Sequence, residues 1–271
     1  MKSDFTLKDL ANELRYALVK ASYDTGAPHL ASCLSCVDLL TLIYFRFAHI
    51  SIENADDAAR DRVILSKGHA ASILYQVLNR KGLISDEVLQ SYARDGGVLA
   101  EHPGPDCAPG VEWATGSLGH GLSAGLGMGL AARIQKHDYR VFVVLGDGEC
   151  NEGSVWEAAL FASAQKMSNL TVFIDFNKWQ GTGRSQEIMS LDPLMEKWAA
   201  FGWHSVDVDG HDLDAISAVY KQCRHAEKPT AIICHTIKGK GVSFMEDDNN
   251  WHYRIPKKAE VMMAGEELGQ L

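Results

Sequence analysis

The chain has 271 residues, 46% hydrophobic and 23% charged, with 35 acidic against 26 basic side chains and a net charge of −9. That length allows one large α/β domain or two small ones with a substantial core, and an acidic balance without a basic stripe excludes a nucleic-acid footprint. No apolar stretch is long enough to span a membrane, nothing resembles a signal peptide, and six cysteines in a chain of this length read as reduced thiols in a cytoplasmic protein.

Amphipathic helices are predicted over Leu7 to Ser22 and Cys36 to Phe47, followed by a polar connection through Asn54, Asp56 and Asp57 and a strand at Arg62 to Ser66. Cys33 and Cys36 form a lone Cys-x-x-Cys that lacks the second ligand pair zinc needs, so they read as buried, inert thiols. A helix over Ile73 to Lys81 stops at Gly82, and another runs from the cap residue Ser85 to Tyr92. The Gly- and Pro-rich stretch Asp95 to Trp113, which contains His102, is too long for a simple connector and reads as a functional loop. Leu118 to Gln135 is predicted helical. Its start, Gly119-His120-Gly121-Leu122-Ser123-Ala124, fits the dinucleotide fingerprint on paper but lacks a preceding strand and a correctly placed acid.

Val141 to Leu145 reads as a strand buried on both faces, and Gly146-Asp147-Gly148-Glu149 lies at its carboxyl end, where parallel sheets bind ligands. A helix over Glu152 to Lys166 and a second buried strand, Leu170 to Phe176, lead to Asn177. If the two strands are neighbours, Asp147 and Asn177 face one point, and a carboxylate, an amide oxygen and a main-chain carbonyl are the hard ligands of Mg²⁺ or Ca²⁺. Flanking glycines let backbone approach phosphates. The remaining elements are a loop to Ser190, a helix around Leu194 to Phe201, a strand at His204 to Val208, a helix at Leu213 to His225 and a strand at Thr230 to Thr236. This alternation predicts an α/β fold with a mostly parallel sheet covered by helices on both faces.

The Asp147 and Asn177 pair, 28 residues between Gly148 and Asn177, with Asn177-Lys178-Trp179-Gln180-Gly181 following, resembles the thiamin diphosphate motif. The wider match resembles the amino-terminal, diphosphate-binding part of the transketolase family and covers roughly Leu7 to Pro256. Ser66-Lys67-Gly68-His69-Ala70 looks like the family segment whose His contacts the diphosphate, and His102-Pro103 looks like the pair whose imidazole lines the reaction centre. In Thr115-Gly116-Ser117-Leu118-Gly119-His120-Gly121, the resemblance assigns cofactor contacts to Gly116, Ser117 and Leu118. It assigns metal ligation to Asp147, Asn177 and the Trp179 carbonyl, and the diphosphate to Gly148 and Glu149. Glu152 matches a carboxylate linking two cofactor sites across a dimer. Lys67, Lys238 and His252 match further cofactor or substrate contacts.

Two departures lie toward the substrate. The family's Gly-His-Pro aligns with Pro28-His29-Leu30, with Ser32 still in register, and its Trp-His-Gly has become Trp251-His252-Tyr253. Proline fixes its own φ and restricts the residue before it, a constraint that bears on the His29 backbone. Of the eleven histidines, His137, His204, His211 and His225 read as structural, while His29, His69, His102 and His252 occupy matched segments. Imidazoles suit a reaction in which sugar hydroxyl and carbonyl oxygens exchange protons near neutral pH.

The resemblance implies a single thiamin diphosphate-binding domain over residues 1–271, with the pyrimidine-binding and carboxyl-terminal domains on a partner subunit in a cytoplasmic α2β2 assembly. The implied activity is transfer of a two-carbon ketol unit from a ketose or its phosphate to an aldose or its phosphate. The implied cofactors are thiamin diphosphate and Mg²⁺, with Ca²⁺ or Mn²⁺ as substitutes, and the implied catalytic residues are His29, His102, His252 and Glu152. The α chain of a 2-oxoacid dehydrogenase is disfavoured by the Lys-Gly-His-Ala and His-Pro segments, and a deoxyxylulose-phosphate-synthase-like protein by the short chain. A non-catalytic assembly protein would have no need of Asp147 or Asn177.

Overall fold

A computed structural model describes residues 5–224 and 227–271. The apolar runs form five strands, β1 (Arg62–Leu65), β2 (Val141–Gly146), β3 (Leu170–Phe176), β4 (His204–Asp209) and β5 (Thr230–His235), in one all-parallel sheet of order β1-β2-β3-β5-β4. Side chains alternate across the sheet. Phe142, Val144 and Phe173 join one core, and Val141, Val143, Leu145, Val172 and Ile174 join the other. The first core is closed by α1 (Leu7–Thr25), α2 (Leu30–Ser35), α3 (Val37–Leu42) and α4 (Ala71–Arg80), with α5 (Asp86–Gln90) nearby. The second is closed by α6 (Gly121–Gln135), α7 (Gly153–Ala164) and α9 (Leu194–Ala200). The short α8 (Ser185–Met189) precedes α9, while α10 (Leu213–Cys223) and α11 (Lys258–Glu267) return to the first layer.

The predicted helix at Cys36 begins earlier, as α2 at Leu30, because His29 takes a left-handed φ of 68° that turns the chain into the helix. A break at Cys36 separates α2 from α3, and the stretch to Phe47 closes as a π-turn. α6 starts at Gly121 rather than Leu118, since Gly119 holds φ 85°. Residue His225, the predicted end of α10 and one of the structural histidines, lies outside the described residues. α8 and α11 have no counterpart in the predicted elements.

Candidate active site

The register aligns Gly146 with Asp175, so Asp147 and Asn177 emerge side by side from β2 and β3, as neighbouring strands require. Asp147 is buried, and Ser185 Oγ, at the start of α8, donates to its Oδ2 at 2.8 Å. Burial pushes this carboxyl up to about 6. The Asn177 amide donates to Ser35 Oγ at 3.2 Å and Asp175 Oδ2 at 3.4 Å, which turns its oxygen away from them, where it accepts the Trp179 N–H at 3.0 Å. Among the described residues no three His, Cys, Asp or Glu side chains gather around a metal position. One buried carboxylate and one amide oxygen therefore fit a hard cation that takes its other ligands from main chain and phosphate, as Mg²⁺ does.

Asp175 ties the floor together. It is fully buried in β3 and accepts from the Lys67 ammonium, from Ser35 Oγ at 2.6 Å, from the Thr236 hydroxyl and from Asn177. Burial alone would discharge Lys67, but the adjacent Asp175 carboxylate outweighs it and raises the lysine's pKa. Asp175 was not among the residues singled out from sequence, although an acid inside a seven-residue strand that is buried throughout is itself a signal.

Gly68 lets the Lys67–His69 turn press against the Thr115–Gly116 backbone. A β-carbon there would stand 2.5 Å from Gly116 N. Glu149 is buried and accepts from the Ser66 hydroxyl, from Gly119 N at 2.8 Å and from Gly146 N at 3.2 Å, so its carboxylate pins three cavity-lining segments together. Burial raises its pKa.

A cavity of about 350 Å³ brings together His29, Ser32, Lys67, His69, His102, Gly116, Leu118, Asp147, Gly148, Glu149, Glu152, Asn177, Trp179 and His252, with Gln180 and Gly181 added. Ser117 lies outside this lining, exposed, with its hydroxyl 3.5 Å from His120 Nδ1. Lys238 reaches in from behind, its Nζ 2.9 Å from His252 Nδ1 and 2.6 Å from Asn249 Oδ1. Pro28 does not displace His29 from the site. The His29 N–H donates to the His252 carbonyl at 2.7 Å, and His29 Nδ1 is 3.2 Å from His252 Nε2. The His29 ring centroid lies 5.5 Å from that of His69, 6.1 Å from that of His102 and 4.7 Å from that of His252. Burial first, then His102, Lys238 and Lys67, lowers His29 to about 4. Burial, Lys238, His29 and Lys67 lower His252 to about 3. His69 is likewise held well below its ordinary value, chiefly by burial and Lys67, and burial lowers Lys238 to about 8. Tyr253 stands at the rim, 4.6 Å from the His252 ring and 5.7 Å from His29. His211 is structural as predicted, held between Asp38 at 2.7 Å and the Ile237 N–H at 2.8 Å. Cys33 and Cys36 are buried, with thiols pushed up by burial.

The loop after Asn177 folds back on itself. Gln180 N donates to Gly183 O at 2.8 Å and Ser185 N to Lys178 O at 3.1 Å. Asp247 clamps this loop from outside, accepting from Trp179 Nε1 at 2.8 Å and from both Arg184 terminal nitrogens at 2.7 and 2.6 Å, with the guanidinium 3.8 Å over the Trp179 ring. Within the clamped loop, Gln180 Nε2 is buried without a hydrogen-bond partner, a condition that costs about 1–3 kcal/mol.

Residues 6–270 match the family model described as transketolase, thiamine diphosphate binding domain, and the chain belongs to that family. It is 38% identical over 266 residues to one of the two apulose-4-phosphate transketolase chains of Phocaeicola vulgatus, covering 98% of this chain and 94% of that protein. It is 40% identical over 241 residues to a 6-deoxy-6-sulfo-D-fructose transketolase subunit of a Clostridium species, covering 89% and 88%. Human transketolase is 37% identical over 98% of this chain, which spans 42% of that protein's length. A transketolase structure from Campylobacter jejuni superposes with a TM-score of 0.92 at 26% identity, covering 97% of this chain and 42% of that one. The expected thiamin diphosphate-binding fold is thereby established.

Proposed function

We propose that the chain is the diphosphate-binding subunit of a two-subunit, thiamin diphosphate-dependent transketolase that moves a two-carbon ketol unit between sugars or sugar phosphates. The observation that carries this reading is the pairing of Asp147 and Asn177 at adjacent strand ends, opposite a cluster of imidazoles in the same cavity. Relatives matched over nearly their whole length are named as transketolase subunits, which supports a separate carboxyl-terminal partner, and we take α2β2 in the cytoplasm as the working assembly.

Asp147, Asn177 and the Trp179 carbonyl would hold Mg²⁺, or Ca²⁺ or Mn²⁺ in its place. Lys67, His69, Gly116, Ser117, Leu118, Gly148, Glu149 and Lys238 would seat or shape the diphosphate, with Ser32 beside His252. When bound, thiamin diphosphate supplies the electron sink for breaking and forming the sugar carbon–carbon bond. The protein's part is orientation and proton handling. His29 and His252, neutral at pH 7, each offer one N–H and one lone pair to hydroxyl and carbonyl oxygens of a sugar, as His102 does from the facing wall. Glu152 is exposed at the rim where α7 begins, open to a partner chain.

The test has two arms. Asp147→Ala is expected to abolish Mg²⁺-dependent cofactor binding, seen as loss of the thermal shift that a bound ligand produces. The chain alone, given saturating thiamin diphosphate and Mg²⁺, is expected to be inactive in ketol transfer and to gain activity with the partner chain. Sustained partner-free turnover of about 1 s⁻¹ or more would overturn the two-subunit reading.

A further inference from the structure

Gln180 sits on the metal side of the cavity and belongs to none of the residues assigned above. Its side chain rests on Gly148, where a β-carbon would come within 2.9 Å of Gln180 Cγ and 3.2 Å of Cδ, so the amide lies beside the turn that carries Asp147. The backbone beneath it is fixed by the Gln180 to Gly183 hydrogen bond and by the Asp247 clamp on Trp179 and Arg184. A side chain held this firmly that still leaves its Nε2 buried and unpartnered is an anomaly, because buried donors are nearly always satisfied. The terminal torsion of glutamine is soft, so the amide can swing toward an acceptor in the cavity at little cost.

We propose that Gln180 is a further ligand-binding residue of this site, whose amide N–H₂ donates to an oxygen of the bound diphosphate on the side of Asp147. The inference rests on the diphosphate reading of the cavity. The ligand class follows from position and chemistry. The amide is next to Asp147 and Gly148 rather than the imidazoles, and an anionic oxygen is the strongest acceptor for a neutral donor. An unsatisfied donor that only ligand satisfies makes the free protein less stable and the bound one tighter.

That pairing of effects gives the experiment. The full-length chain is titrated calorimetrically with inorganic pyrophosphate in Mg²⁺, and its ligand-free thermal midpoint is measured, for wild type, Gln180→Met, Gln180→Glu and Asp147→Ala. Gln180→Met, which keeps the length and removes the donor, is expected to weaken pyrophosphate about tenfold while raising the ligand-free midpoint by about 2 °C or more. Gln180→Glu, which sets a carboxylate against the anion, is expected to weaken it further. Gln180→Met binding within twofold of wild type, while Asp147→Ala has lost binding, overturns the role of Gln180 and leaves the diphosphate site standing. Pyrophosphate binding that is indifferent to Asp147→Ala overturns the site and this inference with it.

Discussion

On the metal side of the cavity, burial drives the pKa of the Asp147 carboxyl up. On the histidine side, burial and the nearby Lys238 and Lys67 drive those of three imidazoles down. The two sides are thus perturbed in opposite senses. A ligand that brings a divalent cation to Asp147 and anionic oxygens to the lysines relieves both at once, and a metal diphosphate has that polarity. Charges and dipoles fixed in advance are how a protein prepares a site instead of leaving its ligand to reorganise it.

The largest effect should separate the two sides by function. His102→Ala in the assembled enzyme is expected to lower turnover roughly 10²- to 10⁴-fold with cofactor affinity held within about threefold. Steady-state kinetics across a cofactor titration measure both quantities, and loss of affinity with full turnover at saturation would move His102 to the cofactor. Next comes the floor beneath the metal side. Asp175→Asn strands Lys67 as a buried charge, with an expected cost of about 3–5 kcal/mol in urea unfolding, and Asp175→Leu combined with Lys67→Met should recover much of it. An Asp175→Asn chain as stable as wild type would deny that carboxylate its structural role.

The histidine side can be tested by pH alone. An unfolded imidazole takes its proton near pH 6.5, whereas folded His29 and His252 resist until about 4 and about 3. Between those values the unfolded chain binds more protons, so stability should fall as pH is lowered from 6.5 toward 4. Asp147, held up to about 6, contributes the opposite slope, since the folded chain binds its proton first. Replacing His252 with Asn should flatten the acid loss, and replacing Asp147 with Asn should steepen it. The smallest effect belongs to the half-exposed Asp247 clamp. Asp247→Asn is expected to weaken cofactor binding by no more than about fivefold, an exposed pair being worth about 0.2–1 kcal/mol, and the difference should vanish near 1 M salt.

The parallel sheet, the two motif strands and the convergence of Asp147 with Asn177 were legible because each follows from local pattern, a buried apolar run ending in an oxygen ligand. The histidine cluster was not legible from periodicity. His29, His69, His102 and His252 come from four separate segments, and only the resemblance singled them out. Asp175, Gln180 and Asp247 were missed because their significance lies in partners distant in sequence, such as Lys67 for Asp175 and Arg184 for Asp247. The late start predicted for α2 failed because the left-handed turn at His29 falls on a residue that seldom adopts it, where sequence gives no glycine to announce it.

The stack of Arg184 on Trp179 has an optical consequence. Its indole carries a cation on one face and a carboxylate on its N–H, a polar setting that shifts and quenches emission differently from the apolar surroundings of the buried Trp198 and Trp251. Because the carbonyl of the same residue is the proposed main-chain ligand of the metal, this tryptophan is a built-in fluorescent reporter. The light it emits follows the order of the loop that closes around the cation, with no label added to the protein.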